Sequence, residues 1–331
     1  MNTIYKKLKY KYFLYVIVKF FRFFSKSPSK IKNPHFFIIG SGRNGSTLLA
    51  TILNAHKDVV IPPEQFVLPY AIIRRYIFFF WTSNKWINNV KSLISNPQKT
   101  IKWDIDVSTL NSNGKDIPFL FNNIFNTYRN INNSSSRVWG DKSPLNTNFI
   151  KYIYPEFPDA KYIFLIRDPR DVALSYRRYL GSDSFKFGIW KWRDSVRSYE
   201  YLSKRTDVLL VKYEDLVELP NNEISRITDF LNLSKDDSIS KYKVSAEKMG
   251  VEEDAHHQNL RKPISSRSVG KWKNELSEKN TIKIFKRILL NKKQKKPSIN
   301  IVDYIVVSFF SLQRNYFYIR HKIYTNLYKF I

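Results

Sequence analysis

The chain has 331 residues, 43% of them hydrophobic, which predicts a globular protein with one large α/β domain and insertions, or with two small domains. It has no cysteine, which excludes disulfides, thiolate zinc sites and cysteine nucleophiles, and fits a reducing compartment such as the cytoplasm. The net charge is +28, of which residues 1–33 carry +9 and residues 280–331 carry +10; the +9 left for residues 34–279 fits an anionic ligand and is not by itself a nucleic-acid signature.

The basic N-terminal segment, residues 1–33, also contains many aromatic side chains. Its longest uncharged run, residues 12–18, is far shorter than the ~20 residues that span a bilayer, so no transmembrane helix is predicted here. Lys19 and Arg22 interrupt the apolar stretch, which disfavours a signal peptide. Two interpretations remain, an amphipathic helix at an anionic membrane surface or a helix that packs on the domain. The C-terminal segment, residues 280–331, has the same character and the same two interpretations.

A glycine-rich loop follows, between a strand and a helix. The apolar run 36–39 predicts a buried parallel strand, and Gly40, Gly42 and Gly45 lead into a helix that begins at Ser46. A strand, a glycine turn and a helix N-terminus together form an anion cradle.

The same loop departs from the nucleotide-triphosphate motif GxxxxGK[ST]. Gly40 and Gly45 have that motif's spacing, but Ser46 stands where the motif has lysine, and the cation comes earlier, at Arg43. A kinase or ATPase needs that lysine on the β- and γ-phosphates, with Mg²⁺ beside it. The loop therefore predicts a different anionic donor.

Strand-like runs that alternate with helical segments predict an α/β fold with a mostly parallel central sheet. The five runs lie at residues 36–39, 59–61, 137–140, 162–166 and 208–213. A long insert, residues 66–135, separates the second run from the third, and its aromatic clusters predict helices that form an acceptor-binding cap. Residues 234–270 are polar and weakly periodic, which predicts a helix and a long loop.

A second anion site is predicted where the fourth strand ends, in the sequence RDPRD. Asp168 suits the N-cap of a helix and Pro169 its first position, so the helix N-terminus lies where Arg167 leaves the strand. Ser175, about two turns into that helix, adds a hydroxyl. The alternative is an exposed ion pair between Arg167 and Asp171, but a glycine loop on a neighbouring strand favours the anion site.

A series of short motifs in fixed order, over residues 36–275, resembles the sulfotransferase family, especially its tyrosylprotein-like and bacterial members. The motifs are GSGRNGSTLL, LNAH, PPE, WGDKSP, FPDAKYIFLIRDPRDVALS, VKYEDL and SVGKWKNEL. The resemblance implies a P-loop-like, three-layer α/β fold and a catalytic domain over residues 34–279. It also implies transfer of a sulfuryl group from 3′-phosphoadenosine-5′-phosphosulfate (PAPS) to an acceptor hydroxyl.

The chemistry of this donor explains the altered loop, because charge builds on the leaving 5′-phosphate oxygen as the sulfuryl group departs. Arg43 is expected to stabilise that oxygen, and no metal is expected, since cationic side chains and helix dipoles suffice for the sulfonate. The remaining residues expected to hold the 5′-phosphate, through backbone amides or hydroxyls, are Gly42, Asn44, Gly45, Ser46 and Thr47.

Other donor contacts follow from the resemblance. It implies that Arg167 and Ser175 bind the 3′-phosphate, which distinguishes this donor from ATP. It places Lys142 near the transferring group and Tyr213 on the nucleotide, although a surface lysine and a packed strand-end aromatic are the ordinary alternatives. Lys271 is implied to close over the donor from a late loop, with Arg267 and Lys273 as rival candidates.

Glu64 is the first candidate for the base that accepts the acceptor's proton, because it follows the second strand where the tyrosylprotein-like members place a catalytic glutamate. His56 is the second candidate, with a structural role as its alternative. The sequence reads PPEQF where those members have two adjacent acidic residues, so the base and the acceptor class are less firmly implied than the donor.

A glycan or glycolipid is the expected acceptor, and protein tyrosine is the alternative. The glycan interpretation depends on aromatic side chains of the insert that stack on sugars or else belong to the core: Tyr70, Tyr76, Trp81, Trp86 and Trp103. The competing functions are a degenerate P-loop kinase or hydrolase, and a basic protein that binds membranes or nucleic acid, with nucleic acid disfavoured. The expected location is the cytoplasm, at the inner face of the membrane if the basic ends bind lipid.

Overall fold

The computed structural model describes Tyr15, residues 18–24, 28–30, 35–96, 103–132, 135–181, 185–236, 264–277 and Asn280. The predicted C-terminal segment 280–331 therefore lies outside the described residues except for its first residue. Much of the predicted helix and loop over 234–270 lies outside them as well.

A parallel sheet lies at the centre of the described residues, with strand order β2-β3-β1-β4-β5. It confirms the five predicted strands, with ends that differ by at most one residue. The strands are β1 (His35–Gly40), β2 (Val59–Val60), β3 (Val138–Asp141), β4 (Lys161–Ile166) and β5 (Val208–Lys212). The central strand β1 is buried along its whole length, because both faces of the sheet are covered by helices.

Helices connect the strands in the order that the predicted α/β fold requires. Those before β4 are α1 (Ser46–Leu53), α2 (Val67–Ile77), α3 (Ser83–Ser95), α4 (Ile117–Ile131), α5 (Pro144–Asn148) and α6 (Ile150–Ile153). Those after it are α7 (Pro169–Leu180), α8 (Phe185–Leu202), α9 (Tyr213–Glu218), α10 (Pro220–Leu231) and α11 (Trp272–Glu275).

The three layers follow from the alternation of side chains along β1. Phe36 and Ile38 point to one face, where they pack with α1 and α10. Phe37 and Ile39 point to the other face, where the larger core joins the sheet to the insert helices and to α8. The predicted three-layer P-loop-like fold is confirmed.

The described residues of the insert, 66–135, form helices as predicted, namely α2, α3 and α4, and contribute much of the larger core. Phe125 of α4 stacks on Trp139 of β3 with ring centroids 3.9 Å apart. Three of the aromatic side chains considered for sugar stacking are buried in this core, namely Tyr76, Trp86 and Trp103. The role of the insert as an acceptor cap remains a prediction.

The parallel arrangement gathers the segments that follow the strands at one edge of the sheet. The glycine loop follows β1, Lys142 follows β3, Arg167 follows β4 and Tyr213 follows β5. Glu64 lies in the segment after β2, at the same edge. Within the described residues, no helix has both the length and the apolar character needed to cross a bilayer.

Candidate active site

The glycine loop adopts a conformation that two of its glycines make possible. Gly42 and Gly45 have φ values of 70° and 92°, in the left-handed region that favours glycine. A Cβ atom on Gly45 would lie 2.4 Å from the ring of Tyr213, so the close packing of this tyrosine also requires glycine. Asn44 is fully buried and donates from Nδ2 to the carbonyl oxygen of Leu165 at 2.5 Å, which ties the loop to β4.

Helix α1 begins directly after the loop, and its N-cap is Gly45, which has no side chain to cap it. The first-turn amides of a helix have no acceptor within the helix and carry the positive end of its dipole. Ser46 and Thr47 add hydroxyls in the same turn. The loop and the first turn of α1 therefore have the backbone geometry of an anion cradle, and anion binding there remains a prediction.

Arg43 is the cation of this loop and lies beside α7. Its φ of 55° is unusual for a residue with a side chain, and such a conformation costs on the order of 1 kcal/mol. Its Nε donates to Oγ of Ser175 at 3.2 Å, and its guanidinium lies over the ring of Tyr179 at 4.8 Å. The structure thus brings together two predicted donor-binding residues from different elements.

Arg167 lies on the other side of the same loop. Its Nη1 donates to the carbonyl oxygen of Arg43 at 3.1 Å, and its Nη2 donates to that of Ser268 at 2.5 Å. The guanidinium lies over Tyr213 at 4.5 Å from the ring centroid. Its Nε is buried and has no hydrogen-bond partner among the described residues. A buried N–H of a cation in this state is a ready donor for an anion.

Asp171 anchors the late basic segment, residues 264–277, against α7. Its two carboxylate oxygens accept hydrogen bonds from the backbone N–H groups of Gly270 at 2.8 Å and Trp272 at 3.0 Å. The guanidinium of Arg170 stacks on Trp272 at 3.5 Å. We call this segment, residues 264–277, the strap. Because its amides occupy the carboxylate of Asp171, the alternative ion pair between Asp171 and Arg167 is not formed.

Lys271 lies between the two anchored amides of this strap. It is half-buried, whereas its rivals Arg267 and Lys273 are exposed. The strap also supplies the Ser268 carbonyl that Arg167 binds. Lys271 therefore lies on the most firmly held part of the strap.

Glu64 and Lys142 form an ion pair at the same sheet edge. The Nζ of Lys142 donates to Oε2 of Glu64 at 3.1 Å; the lysine side chain is 6% exposed and the glutamate 31%. Two hydrogen bonds hold the backbone on either side of Glu64. Trp103 donates from Nε1 to the carbonyl oxygen of Pro63 at 2.7 Å, and Ser143 donates from Oγ to that of Gln65 at 2.9 Å.

Two buried titratable groups lie beside this pair. Burial raises the pKa of Asp141 to about 6, although it accepts a hydrogen bond from Asn146 at 2.9 Å. The charge of Glu64 raises this pKa further and that of Lys142 lowers it. Tyr176 donates from its hydroxyl to the carbonyl oxygen of Ser41 at 2.8 Å, and burial raises its pKa.

His56 lies away from this group, beyond the C-terminal end of α1. Its ring is buried, and its Nδ1 accepts from the backbone N–H of Asp58 at 3.0 Å. Its Nε2 therefore carries the proton, and it lies 2.8 Å from the carbonyl oxygen of Ser234. The structure does not bring His56 to the glycine loop; it gives the ring two backbone partners.

Several residues around the site were missed in the sequence. They include Trp192, which donates from Nε1 to the carbonyl oxygen of Arg167 at 2.8 Å, and Tyr176, which donates to that of Ser41. Trp103 was considered for sugar stacking, but its hydrogen bond to Pro63 was not predicted. These residues lie on helices or loops far along the chain from their partners, so spacing gave no signal. Asp171 lies within the RDPRD motif, but its partners are backbone amides, which no sequence motif marks.

Comparisons with known proteins agree with this geometry. A family model described as the sulfotransferase family matches residues 34–237. Protein-tyrosine sulfotransferase A of Caenorhabditis elegans is 26% identical over 62% of this chain, and the protein-tyrosine sulfotransferase of Drosophila melanogaster is 24% identical over 72%. The chain spans about half the length of these two relatives, 52% and 47% respectively.

The solved sulfotransferase domain of the olefin synthase from Synechococcus has the same fold as this chain. The two superpose with a TM-score of 0.51 at 21% sequence identity, covering 86% of this chain and 97% of that domain.

Proposed function

The chain belongs to the sulfotransferase family, and we propose that it transfers the sulfuryl group of PAPS to an acceptor hydroxyl. One observation carries this proposal. The Glu64–Lys142 ion pair lies at the same sheet edge as a glycine loop whose cation is Arg43, earlier in the loop than the Walker lysine position. A base, a cation and an anion cradle at one edge are the groups that a sulfuryl transfer needs.

The residues at this edge fit the donor. PAPS supplies an activated sulfuryl group on its 5′-phosphate and carries a second anion, the 3′-phosphate. The cradle of Gly42, Arg43 and the first turn of α1 suits the 5′ group, because backbone amides and a guanidinium both bind phosphate oxygens. The buried Nε of Arg167 suits the 3′-phosphate. Ser175, whose hydroxyl accepts from Nε of Arg43, would add a hydroxyl to the donor site.

Tyr213 and the strap complete the donor site. The tyrosine ring lies between Gly45 and the guanidinium of Arg167, which sets the position of that guanidinium. The strap reaches the same guanidinium through the carbonyl of Ser268 and presents Lys271. Together they would place two cations, Arg167 and Lys271, at the bound donor.

Glu64 is the base in this proposal. Its carboxylate is partly exposed, so it can reach an acceptor hydroxyl and take up the proton as the oxygen attacks. Lys142 orients the carboxylate through the 3.1 Å hydrogen bond, and its own charge stabilises negative charge that develops during transfer. His56 is assigned a structural role, since both ring nitrogens face backbone groups.

The acceptor is a hydroxyl on tyrosine or on a carbohydrate. The tyrosine acceptor is supported by the names of the two relatives, both protein-tyrosine sulfotransferases. The carbohydrate acceptor depended on exposed aromatic rings in the insert, and only Tyr70 and Trp81 of the five retain partial exposure. We therefore propose the tyrosine phenol as the first acceptor to test and the glycan as the second.

An assay with ³⁵S-labelled PAPS tests both parts of the proposal. The purified chain is incubated with labelled donor and one class of acceptor at a time: tyrosine-containing peptides, glycans or glycolipids. We expect label in the tyrosine peptides, and about 10²- to 10³-fold slower labelling by Glu64→Gln. Label confined to glycans would overturn the tyrosine acceptor but not the sulfotransferase activity. Phosphate transfer from ATP in a parallel reaction, with no sulfuryl transfer from PAPS, would overturn both.

A further inference from the structure

An exposed patch of phenylalanine rings lies at one corner of the molecule, remote in sequence from the donor-binding motifs. We call it the aromatic patch; its members are Phe20, Phe23, Phe24, Phe79 and Phe80. Each of these side chains is between 55% and 85% exposed. A contiguous apolar surface of this kind on a soluble protein marks an interaction site more often than a chance exposure.

Two distant segments build this patch and their rings touch. Within the N-terminal segment, Phe20 and Phe24 have centroids 5.1 Å apart, and Phe23 and Phe24 are 5.3 Å apart. In the turn after α2, Phe79 and Phe80 are 5.7 Å apart. Phe21 joins the segments, because its ring stacks on Phe79 at 4.2 Å.

The described part of the N-terminal segment that carries these rings, Tyr15 and residues 18–24, packs on the domain. Val18 is buried in the larger core, and Tyr15 packs edge-on against Tyr152. Arg22 donates to the carbonyl oxygen of Pro155 and lies 3.7 Å from the buried carboxylate of Glu156.

Helical spacing explains why one face remains exposed. Val18, Phe21 and Arg22 have the i, i+3, i+4 spacing of one helix face, which contacts the domain. Residues 20, 23 and 24 have the same spacing and form the outward face. The helix thus packs on the domain, which is one of the two interpretations made from the sequence, and it also presents an apolar face outward.

Charge identifies the surface that fits this patch. Residues 1–33 contain nine Lys or Arg residues and no Asp or Glu, and Lys19 is exposed beside the rings. The C-terminal segment 280–331 is also strongly basic, and a second copy of the chain carries the same net charge of +28. The basic N-terminal segment would repel the C-terminal segment and a second copy of the chain, whereas it would attract an anionic surface.

We propose that the aromatic patch inserts into the interfacial layer of an anionic lipid bilayer and holds the enzyme on the membrane through this corner. Phenylalanine side chains enter the boundary between headgroups and acyl chains, while lysine and arginine contact anionic headgroups. The patch members carry no polar atom that could hydrogen-bond to bases or phosphates, so lipid is favoured over nucleic acid. Membrane binding through the aromatic patch does not depend on which acceptor hydroxyl is sulfated.

Vesicle flotation with the full chain tests this proposal. The protein is mixed with vesicles of phosphatidylcholine with phosphatidylglycerol, and with vesicles of phosphatidylcholine only. We expect binding to the anionic vesicles that falls at least about tenfold in the double variant Phe79→Ser, Phe80→Ser and in the triple variant Phe20→Ser, Phe23→Ser, Phe24→Ser. Leu219→Ser, which changes an exposed apolar side chain outside the patch, should bind like the wild type.

Thermal melts establish that the variants are folded before they are compared. The double variant is decisive, because it leaves the basic N-terminal segment and its docking residues Val18 and Arg22 unchanged. Unaltered vesicle binding in that folded variant would assign the attraction to the basic ends only and overturn the proposal. So would patch-dependent binding to single-stranded RNA with no binding to anionic vesicles.

Discussion

Lys142 donates a hydrogen bond from Nζ to Oε2 of Glu64 at 3.1 Å, so two residues that are 78 positions apart meet at one sheet edge. β3 brings the lysine, and the segment after β2 brings the glutamate. The lysine is nearly buried and the carboxylate is partly open. This asymmetry lets the cation hold the carboxylate while one side of it remains accessible to an acceptor.

Replacing Glu64 with glutamine should reduce turnover far more than donor binding. Gln keeps the shape and a hydrogen-bond acceptor for Lys142 but cannot take up a proton. We expect kcat to fall by about 10²- to 10³-fold while the KM for PAPS changes by less than about threefold. Steady-state kinetics at saturating acceptor measure both constants. Equal losses in kcat and donor affinity, or no loss in either, would remove Glu64 from the role of base.

Replacing Arg167 with alanine should weaken donor binding without unfolding the protein. The guanidinium has a buried Nε without a partner among the described residues, which the 3′-phosphate would satisfy. A charge-assisted hydrogen bond contributes about 1.5–3 kcal/mol, so affinity for 3′-phosphoadenosine 5′-phosphate should fall by roughly 10- to 100-fold. Isothermal titration calorimetry measures this affinity.

The matched control for Arg167 is Arg205→Ala. Arg205 also lies over a tyrosine ring, that of Tyr201 at 3.8 Å, but it is exposed and belongs to the turn after α8. Its loss should leave nucleotide affinity unchanged. If both alanine variants bound the nucleotide like the wild type, Arg167 would have no place in the donor site.

The strands, and the loop-to-helix boundaries that follow β1 and β4, could be predicted from the sequence because their signals are local. The apolar runs of β1 and β4 are continuous, and Asp168 and Pro169 mark the start of α7, where Asp168 does accept from the backbone N–H of Arg170 at 2.8 Å. Glycine positions such as Gly45 are likewise marked by their own residue type.

What could not be predicted depends on tertiary contacts. For Asp171, the RDPRD motif offered only an ion pair with Arg167, as the alternative to the favoured anion site. In the structure its carboxylate binds amides about 100 positions away, which the motif did not indicate. His56 shows the same limit, because its motif did not reveal that both ring nitrogens face the backbone. The burial of Trp86 also depends on how the insert packs on the sheet, which its aromatic pattern did not reveal.

Asp171 is expected to act as a positioning residue for the donor, through the strap. Asp171→Ala removes the acceptor for two amides, so the strap should detach more often from α7. We expect the KM for PAPS to rise by about tenfold while kcat changes by less than about threefold, because the base and Arg43 are untouched. Hydrogen exchange of residues 264–277 should be faster in the variant, and saturating nucleotide should slow it again.

The control for the strap is Glu275→Gln. Glu275 lies on the same strap and pairs with Arg178 of α7. Both side chains are substantially exposed, so this ion pair should contribute little to holding the strap on α7. Its loss should leave both the donor KM and the exchange rate near their wild-type values. If Asp171→Ala behaved like Glu275→Gln, the two amide bonds would have no part in holding the strap.

Asp141 should make the stability of the protein fall as pH rises. Burial raises the pKa of this carboxyl from its ordinary 3.8 to about 6, so the folded state binds its proton more tightly than the unfolded state. The resulting stabilisation is complete below about pH 4 and is lost as pH rises through about 6. A difference of about 2 pKa units corresponds to about 3 kcal/mol of unfolding free energy.

Asp141→Asn should remove this loss, because the amide does not ionise and its Oδ1 still accepts the hydrogen bond from Asn146. Relative to the wild type, the variant should therefore gain up to about 3 kcal/mol between pH 4 and pH 8. Urea unfolding across this range measures the difference, with Asp207→Asn as the control at an exposed carboxylate. The nearby charge of Glu64 raises the pKa of Asp141 and that of Lys142 lowers it. Glu64→Gln should therefore lower the pKa of Asp141 and move the pH range of the stability loss to more acidic values. A difference between wild type and Asp141→Asn that stayed constant from pH 4 to pH 8 would show that Asp141 titrates near its ordinary value and that the site is more open to water than its packing indicates.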